Sequence, residues 1–267
     1  MNTIKSPDFI NTFATNGFKK LQVVVVGAGG TGSALLGKLL QLHNTFEALS
    51  ISGLDVVVYD DDLVTESNLG RMPFYKFDLG RPKAECLVER INAYSNVKWQ
   101  YKNEKFKKDS LKNNYGGVVI FGCVDNVPAR KAIHSSFSSL DNCIYIDAGN
   151  DTSSGNVIMA MNAQVGKDTC YLPSVVDLYQ QQINSHIDNN KDSCSAEDAI
   201  NMQSFGVNDI AASHCIQFLW QLVRKGEIAY QGLSFDLHTG VTAPITADTG
   251  TWAMYGYVPN ESAKTHH

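Results

Sequence analysis

Residues 21–42 read LQVVVVGAGGTGSALLGKLLQL. The near-continuous apolar run 21–26 predicts a strand buried on both faces of a sheet. Leu35, Leu36, Leu39 and Leu40 recur at helical spacing and predict a helix over 31–42. Between them Gly27-Ala28-Gly29-Gly30-Thr31-Gly32 satisfies G-x-G-x-x-G. In that context the glycines permit a tight turn and a close backbone approach. The amides at the helix start then attract phosphate. Gly27, Gly29, Gly30 and Gly32 are therefore candidate nucleotide-binding residues, with NAD, FAD, SAM-like ligands and ATP all open. Residues 32–39 also match the start of a P-loop, but Leu39 stands where Ser or Thr must ligate magnesium, so that match is accidental.

Outward from this stretch the alternation continues. Strands are expected over 54–59, 97–101, 117–123 and 143–148, and helices over 83–93 and 126–137. Strand–helix repetition predicts an α/β fold, a Rossmann-like, doubly wound, mostly parallel sheet. Beyond residue 150 the character changes. A strand over 156–163 could extend the sheet, 166–205 is long, polar and irregular, and 207–224 is a buried helix. Residues 232–247 suggest a hairpin turning near Thr239-Gly240, giving a C-terminal antiparallel extension. This divides the chain into an N-terminal segment (1–20), one domain (21–257, with a nucleotide-binding half to 150 and a substrate half after it) and a tail (258–267).

The 267 residues include 22 Lys+Arg and 27 Asp+Glu, a net charge of −5 that argues against a nucleic-acid binder. No apolar run approaches the roughly 18 residues of a membrane span. The first 20 residues hold no signal-peptide core, and no two of the six cysteines form C-x-x-C. A cytoplasmic chain without structural zinc is expected. Cys86, Cys123, Cys143 and Cys215 lie in apolar settings and read as buried packing residues, whereas Cys170 and Cys194 lie in more polar ones.

The second expected strand ends in Asp60-Asp61-Asp62, with Asp60 placed 28 residues after Gly32 rather than the usual 20 or so of a dinucleotide site. A polar cluster follows: Ser67, Asn68, Leu69 and Arg71, then Gly80 and Lys83. A dinucleotide site needs no such cluster. These residues, together with GAGGTGS (27–33) and CVDNVPAR (123–130), occur in the order of the ThiF/MoeB/ubiquitin-activating-enzyme superfamily, which the chain resembles over residues 21–257. LPSVVDL (172–178), DSCSAEDA (192–199), FLWQL (218–222) and the C-terminal FDLHTG and PITAD are similar to the ThiF-family component of bacterial PRTRC cassettes.

The resemblance implies ATP-dependent adenylation of the C-terminal carboxylate of a ubiquitin-like protein by a homodimer. Asp60 would accept the ribose hydroxyls, with Asp62 a secondary candidate. Asn68 and Arg71 would contact the phosphates and the transition state, Lys83 would bind the phosphates as a point charge, and Asp125 would hold Mg²⁺. Cys194 would be the residue of a thioester step, with Cys170 the fallback, although the acidic surroundings of Cys194 oppose a thiolate. Conjugating-enzyme-like and JAB-peptidase-like cassette proteins are implied as further partners. Three features depart from the family. Residues 1–20 lack the arginine that members supply to the partner's triphosphate, Met72 stands where Gln is usual, and the two C-x-x-C zinc pairs are missing. A non-catalytic scaffold, an NAD-type oxidoreductase and adenylation of a small molecule, a peptide or a tRNA-borne carboxylate are the competing readings.

Overall fold

Four consecutive valines suit Leu21–Val26 (β2) to the middle of the parallel strands, because β-branched side chains fit a pleated, largely buried surface. The computed structural model describes residues 3–17, 19–112, 116–185 and 203–259, the side chain of Ser185 excepted. After β1 (Ile4–Lys5) and α1 (Asp8–Thr15), the chain runs through β2, α2 (Gly30–Ala48), β3 (Leu54–Tyr59), α3 (Lys83–Tyr94), β4 (Gln100–Lys102), β5 (Val118–Gly122), α4 (Val127–Ser138) and β6 (Cys143–Asn150). Strands β2 to β6 are parallel, in the order β4-β3-β2-β5-β6. From β2 the chain builds outward through β3 and β4, then returns to lay β5 and β6 on the other side. That reversal opens a crevice at the carboxyl ends of β2 and β5, where ligands of open α/β sheets bind.

The antiparallel extension contains the strand and the hairpin expected from sequence and adds a further strand to them. The long β7 (Ser154–Val165) pairs antiparallel with β6 along one edge. Its other edge is shared by β10 (Gly232–Asp236) over residues 154–158 and β8 (Asp168–Leu172) over 161–165. The expected hairpin joins β10 to β11 (Val241–Ile245), with Gly240 at φ +72° in the connecting turn. Strand β8 and the short helices α5 (Val175–Leu178) and α6 (Gln180–Ser185) occupy the first part of the stretch read as irregular. A five-residue strand beginning Asp-Thr has too little alternation to be read from sequence, and its pairing with β7 supplies the order.

Helix α2 extends to Ala48, two turns beyond the expected end, which accounts for the wide spacing between Gly32 and Asp60. It buries Leu35, Leu36 and Leu39 and packs along α7 (Val207–Lys225), which lies on β6 and β7. Gly226, at φ +71°, ends α7 in the left-handed conformation that releases a helix into β9 (Glu227–Ile228). β9 pairs with β1, and α1 buries Ile10 and Phe13, the latter edge-on to Phe46 of α2 at 5.5 Å. A last short helix, α8 (Thr249–Met254), seats Trp252 on Gln231. Among the described residues no helix is long and apolar enough to cross a membrane.

His43 joins α2 to the sheet: its Nδ1 accepts the backbone N–H of Leu54 at 2.8 Å. Burial lowers its pKa below the ordinary histidine value, against an opposing pull from Glu47. The unfolded chain therefore takes up the proton first. Stability should be complete above about pH 6.5 and decline as pH falls below it. Urea midpoints across that range test this, and His43→Gln should flatten the dependence.

Candidate functional site

The glycine loop leaves β2 by a backbone that side chains would obstruct. Gly27 sits at φ +96°, and a Cβ there would lie 2.5 Å from the Cys123 carbonyl oxygen. A Cβ on Gly32 would fall 1.9 Å from the Gly27 carbonyl oxygen, and one on Gly30 would meet the Asn208 side chain at 2.5 Å. Gly29, the residue before the first turn of α2, has open space around it.

Asp60 emerges at the end of β3 and ties the two strand ends together. Its Oδ2 accepts the Ala28 N–H at 2.6 Å and its Oδ1 the Asp62 N–H at 2.9 Å. Burial pushes its carboxyl pKa up, opposed by those amides and by the Lys83 charge. Lys83 begins α3 with its side chain largely buried, and its Nζ donates to Asp62 Oδ2 at 2.7 Å. A cation in the first turn opposes the helix dipole, so its acidic neighbour is what holds it there.

Arg71 and Asn68 follow on the β3–α3 connection. Arg71 Nη1 donates to Gln203 Oε1 at 3.0 Å and its Nε to the Ser67 carbonyl at 3.4 Å. No ion pair to Arg71 occurs among the described residues. Partial burial lowers its pKa. Asn68 is buried, and its Oδ1 accepts the Thr65 N–H at 2.9 Å and the Thr65 hydroxyl at 3.1 Å, closing a short 3-10 turn. At the end of β5 the helix-capping task falls to Asn126, whose Oδ1 accepts the Ala129 N–H at 2.9 Å. This leaves the neighbouring Asp125 carboxylate exposed on the crevice side of the sheet.

Sequence reasoning did not find the residues that bind this loop to the second half of the chain. Thr31 Oγ1 donates to Asn208 Oδ1 at 3.0 Å and lies 3.3 Å from Asn150 Oδ1, while Asn150 Nδ2 donates to Asn208 Oδ1 at 2.9 Å. Gln203 continues the chain of contacts to Arg71. A polar residue closing a buried strand, Asn150 after CIYIDAG, was the one available signal. Beside these groups a cleft of about 500 Å³ opens between α2, residues 70–73, α3 and residues 203–209.

Of the cysteines read as buried, Cys86, Cys143 and Cys215 are so, whereas Cys123 is partly exposed as a residue although its thiol is desolvated and its pKa raised. Cys170 lies in β8, and burial raises its thiol pKa too, which is unfavourable for a nucleophile. Cys194 lies outside the described residues.

A glycine loop at the switch point of a doubly wound sheet, with a carboxylate at the end of the next strand bonded to that loop, defines the Rossmann-like class of α/β proteins. The chain belongs to the ThiF family, whose profile matches residues 6–247. It is 24% identical over 193 residues to the ubiquitin-like modifier-activating enzyme 5 of Xenopus laevis, covering 66% of this chain and 44% of the relative. It is 30% identical over 181 residues to the Nedd8-activating enzyme E1 catalytic subunit of Drosophila melanogaster, covering 62% of this chain and 37% of the relative. The chain thus spans less than half the length of these relatives. Among solved structures, PaaA superposes with a TM-score of 0.58 at 18% identity, covering 90% of this chain and 66% of that one. E. coli MccB, solved with AMPCPP and MccA, superposes with a TM-score of 0.59 at 18% identity, covering 88% and 66%. The solved structures share this fold.

Proposed function

We propose that the protein uses ATP to adenylate the C-terminal carboxylate of a small ubiquitin-like protein. The observation that supports this reading is that Asp60 holds the loop through the Ala28 N–H and feels the Lys83 charge, while Arg71 lines the same cleft as Gly30. The Asp60 oxygens each retain a lone pair for the ribose hydroxyls. The loop amides and Lys83 would hold the phosphates, and Arg71 would exchange Gln203 for a phosphate oxygen. Asn68, fixed by Thr65, would orient the same group through its amide. Positive charge held around the α-phosphate stabilises the transition state without reorganisation. The carboxylate oxygen bonds to the α-phosphorus as the bond to pyrophosphate breaks, giving an acyl-adenylate. Asp125 would hold Mg²⁺. The described residues contain no cluster of three ligands, yet a magnesium nucleotide needs only one or two carboxylates beside its phosphates and waters.

The likeness to the activating enzymes supports the choice of substrate, and MccB, solved with MccA, supports a polypeptide end as the acyl group. A homodimer in the cytoplasm, ubiquitin-like, conjugating-enzyme-like and JAB-peptidase-like partners from a PRTRC cassette, and a later thioester on Cys194 complete the proposal.

ATP–pyrophosphate exchange tests it, with Mg²⁺ and the ubiquitin-like protein encoded nearest the gene. Wild type and Cys194→Ala should both exchange, and a reducible adduct should form only in wild type. Arg71→Ala and Lys83→Ala should each lower exchange by about 100- to 1,000-fold. Absence of exchange in wild type, with ATP bound, would move the reading to a scaffold subunit or another carboxylate. NADH binding without ATP binding would move it to an oxidoreductase.

A further inference from the structure

A second cleft lies at the opposite end of the strands. In a doubly wound sheet the crossover from β4 to β5 ordinarily contains a helix that covers the sheet face. Here residues 103–112 and 116–117 carry no helix. Phe106 anchors the connection edge-on to Tyr59 at 5.2 Å, and Leu111 is half-buried farther along. The sheet face beneath is incompletely covered: Val24 is buried, but Val57 is half-buried and Gln22 exposed. A cleft of about 510 Å³ results, floored by Val24, Val57, Phe13 and Leu111.

Lys19 and Lys20 line this cleft. Beside it runs the segment that brings Ser110 and Leu111 to its wall, and in that segment Lys98, Lys102, Lys105, Lys107, Lys108 and Lys112 are all exposed, against only Glu104 and Asp109, in a protein of net charge −5. Of these eight only Lys105 has an acid within 4 Å among the described residues, Asp61 at 3.8 Å. Asp55 is the single acid on the cleft wall. Lys105 stands by Asp61 at the nucleotide end of the sheet, while Ser110 and Leu111 line the cleft at the other end. The strip therefore runs the length of a six-residue strand, about 20 Å.

We propose that this cleft, with the lysine strip that runs beside it, is a docking site for an extended acidic segment of another protein, one that also carries apolar side chains. A small anion would need cations converging on one point, and these are strung along the connection. Nucleic acid fits less well. The strip contains no arginine, its Trp99 and Phe106 rings are buried and offer no stacking platform, and the rest of the surface is acidic. An acidic chain laid along the strip meets unpaired ammonium groups and places apolar side chains on the floor of the cleft. The cleft lies at the other end of the strands from the glycine loop, and none of the strip's lysines is among the residues assigned to the nucleotide, so the proposal stands apart from the adenylation reading.

The test uses a fluorescein-labelled peptide alternating glutamate with leucine and phenylalanine, read by fluorescence anisotropy on the full chain. Wild type should bind it saturably, and raising salt from about 50 to about 300 mM should weaken it, because the contacts are exposed. The triple variant Lys107→Glu/Lys108→Glu/Lys112→Glu should bind at least about tenfold more weakly, a loss of about 1.4 kcal/mol, with ATP affinity unchanged. Absence of saturable binding by wild type, equal binding by the triple variant, equal binding of the lysine-for-glutamate peptide, or tighter binding of a labelled single-stranded RNA would each overturn the proposal.

Discussion

Gly32→Ala abolishes ATP binding and costs about 3 kcal/mol of folding stability, the upper part of the range for forced overpacking. The cause is backbone against backbone. The new methyl carbon would lie 1.9 Å from the Gly27 carbonyl oxygen, and neither atom belongs to a flexible side chain. Relieving the clash requires the turn to open. That would displace the Ala28 N–H from Asp60 and, on the proposed reading, spoil the array of amides meant for the phosphates. Gly29→Ala is the control, since its Cβ would meet nothing within 4 Å. Its stability should stay within about 0.5 kcal/mol of wild type. Urea unfolding and isothermal titration with ATP read both effects. Normal ATP affinity in Gly32→Ala would place the nucleotide elsewhere.

Arg130→Met costs about 3 to 5 kcal/mol, because it strands a buried charge. Asp147 is 1% exposed at the carboxyl end of β6. Its oxygens lie 3.2 and 3.3 Å from Arg130 Nε, and the buried Tyr145 hydroxyl donates to Oδ2 at 2.6 Å. The nearby Asp147 charge raises the guanidinium pKa. With the arginine gone, one phenol hydrogen bond must support the carboxylate in a low-dielectric setting. The double variant Arg130→Met/Asp147→Asn should recover most of the loss, since removing both charges of a buried pair is often close to neutral. Equal instability of single and double variants would mean that packing of the arginine stem, and not charge, is what the site requires.

The parallel half of the sheet was readable because its signals are local. Four valines ending at Gly27, leucines at helical spacing, and Asp60 at the end of LDVVVY each lie within a few residues of the feature they specify. Lys83 was readable for a similar reason, as a cation in a helix turn that disfavours it. The second half depends on pairings that no local pattern announces. Strand β8 exists because β7 is twelve residues long and offers an edge that β10 covers only in part. The contacts of Thr31 with Asn150 and Asn208 join residues 119 and 177 positions apart. The first residues looked like an unremarkable lead-in, yet Ile10 and Phe13 are buried once α2 and α7 are in place to receive them. The bare β4–β5 connection went unnoticed because a missing crossover helix shows only when the sheet it should cover is assembled.

The main path of the nine-stranded sheet ends in β11 and β4, and both are poor templates for another chain. Ile245 accepts the Gln231 N–H at 2.8 Å, so its polar backbone groups face inward. Because successive residues of a strand point these groups to opposite sides, Thr242 and Pro244 face outward. Proline has no N–H to offer there, so a strand arriving at β11 finds one donor of its ladder missing. At the other end β4 is only three residues long and is bracketed by the ammonium groups of Lys98 and Lys102. Short, charged or proline-bearing borders discourage edge-to-edge growth into fibrils. The same few residues that end the path of the sheet thus work against its growth through these two borders.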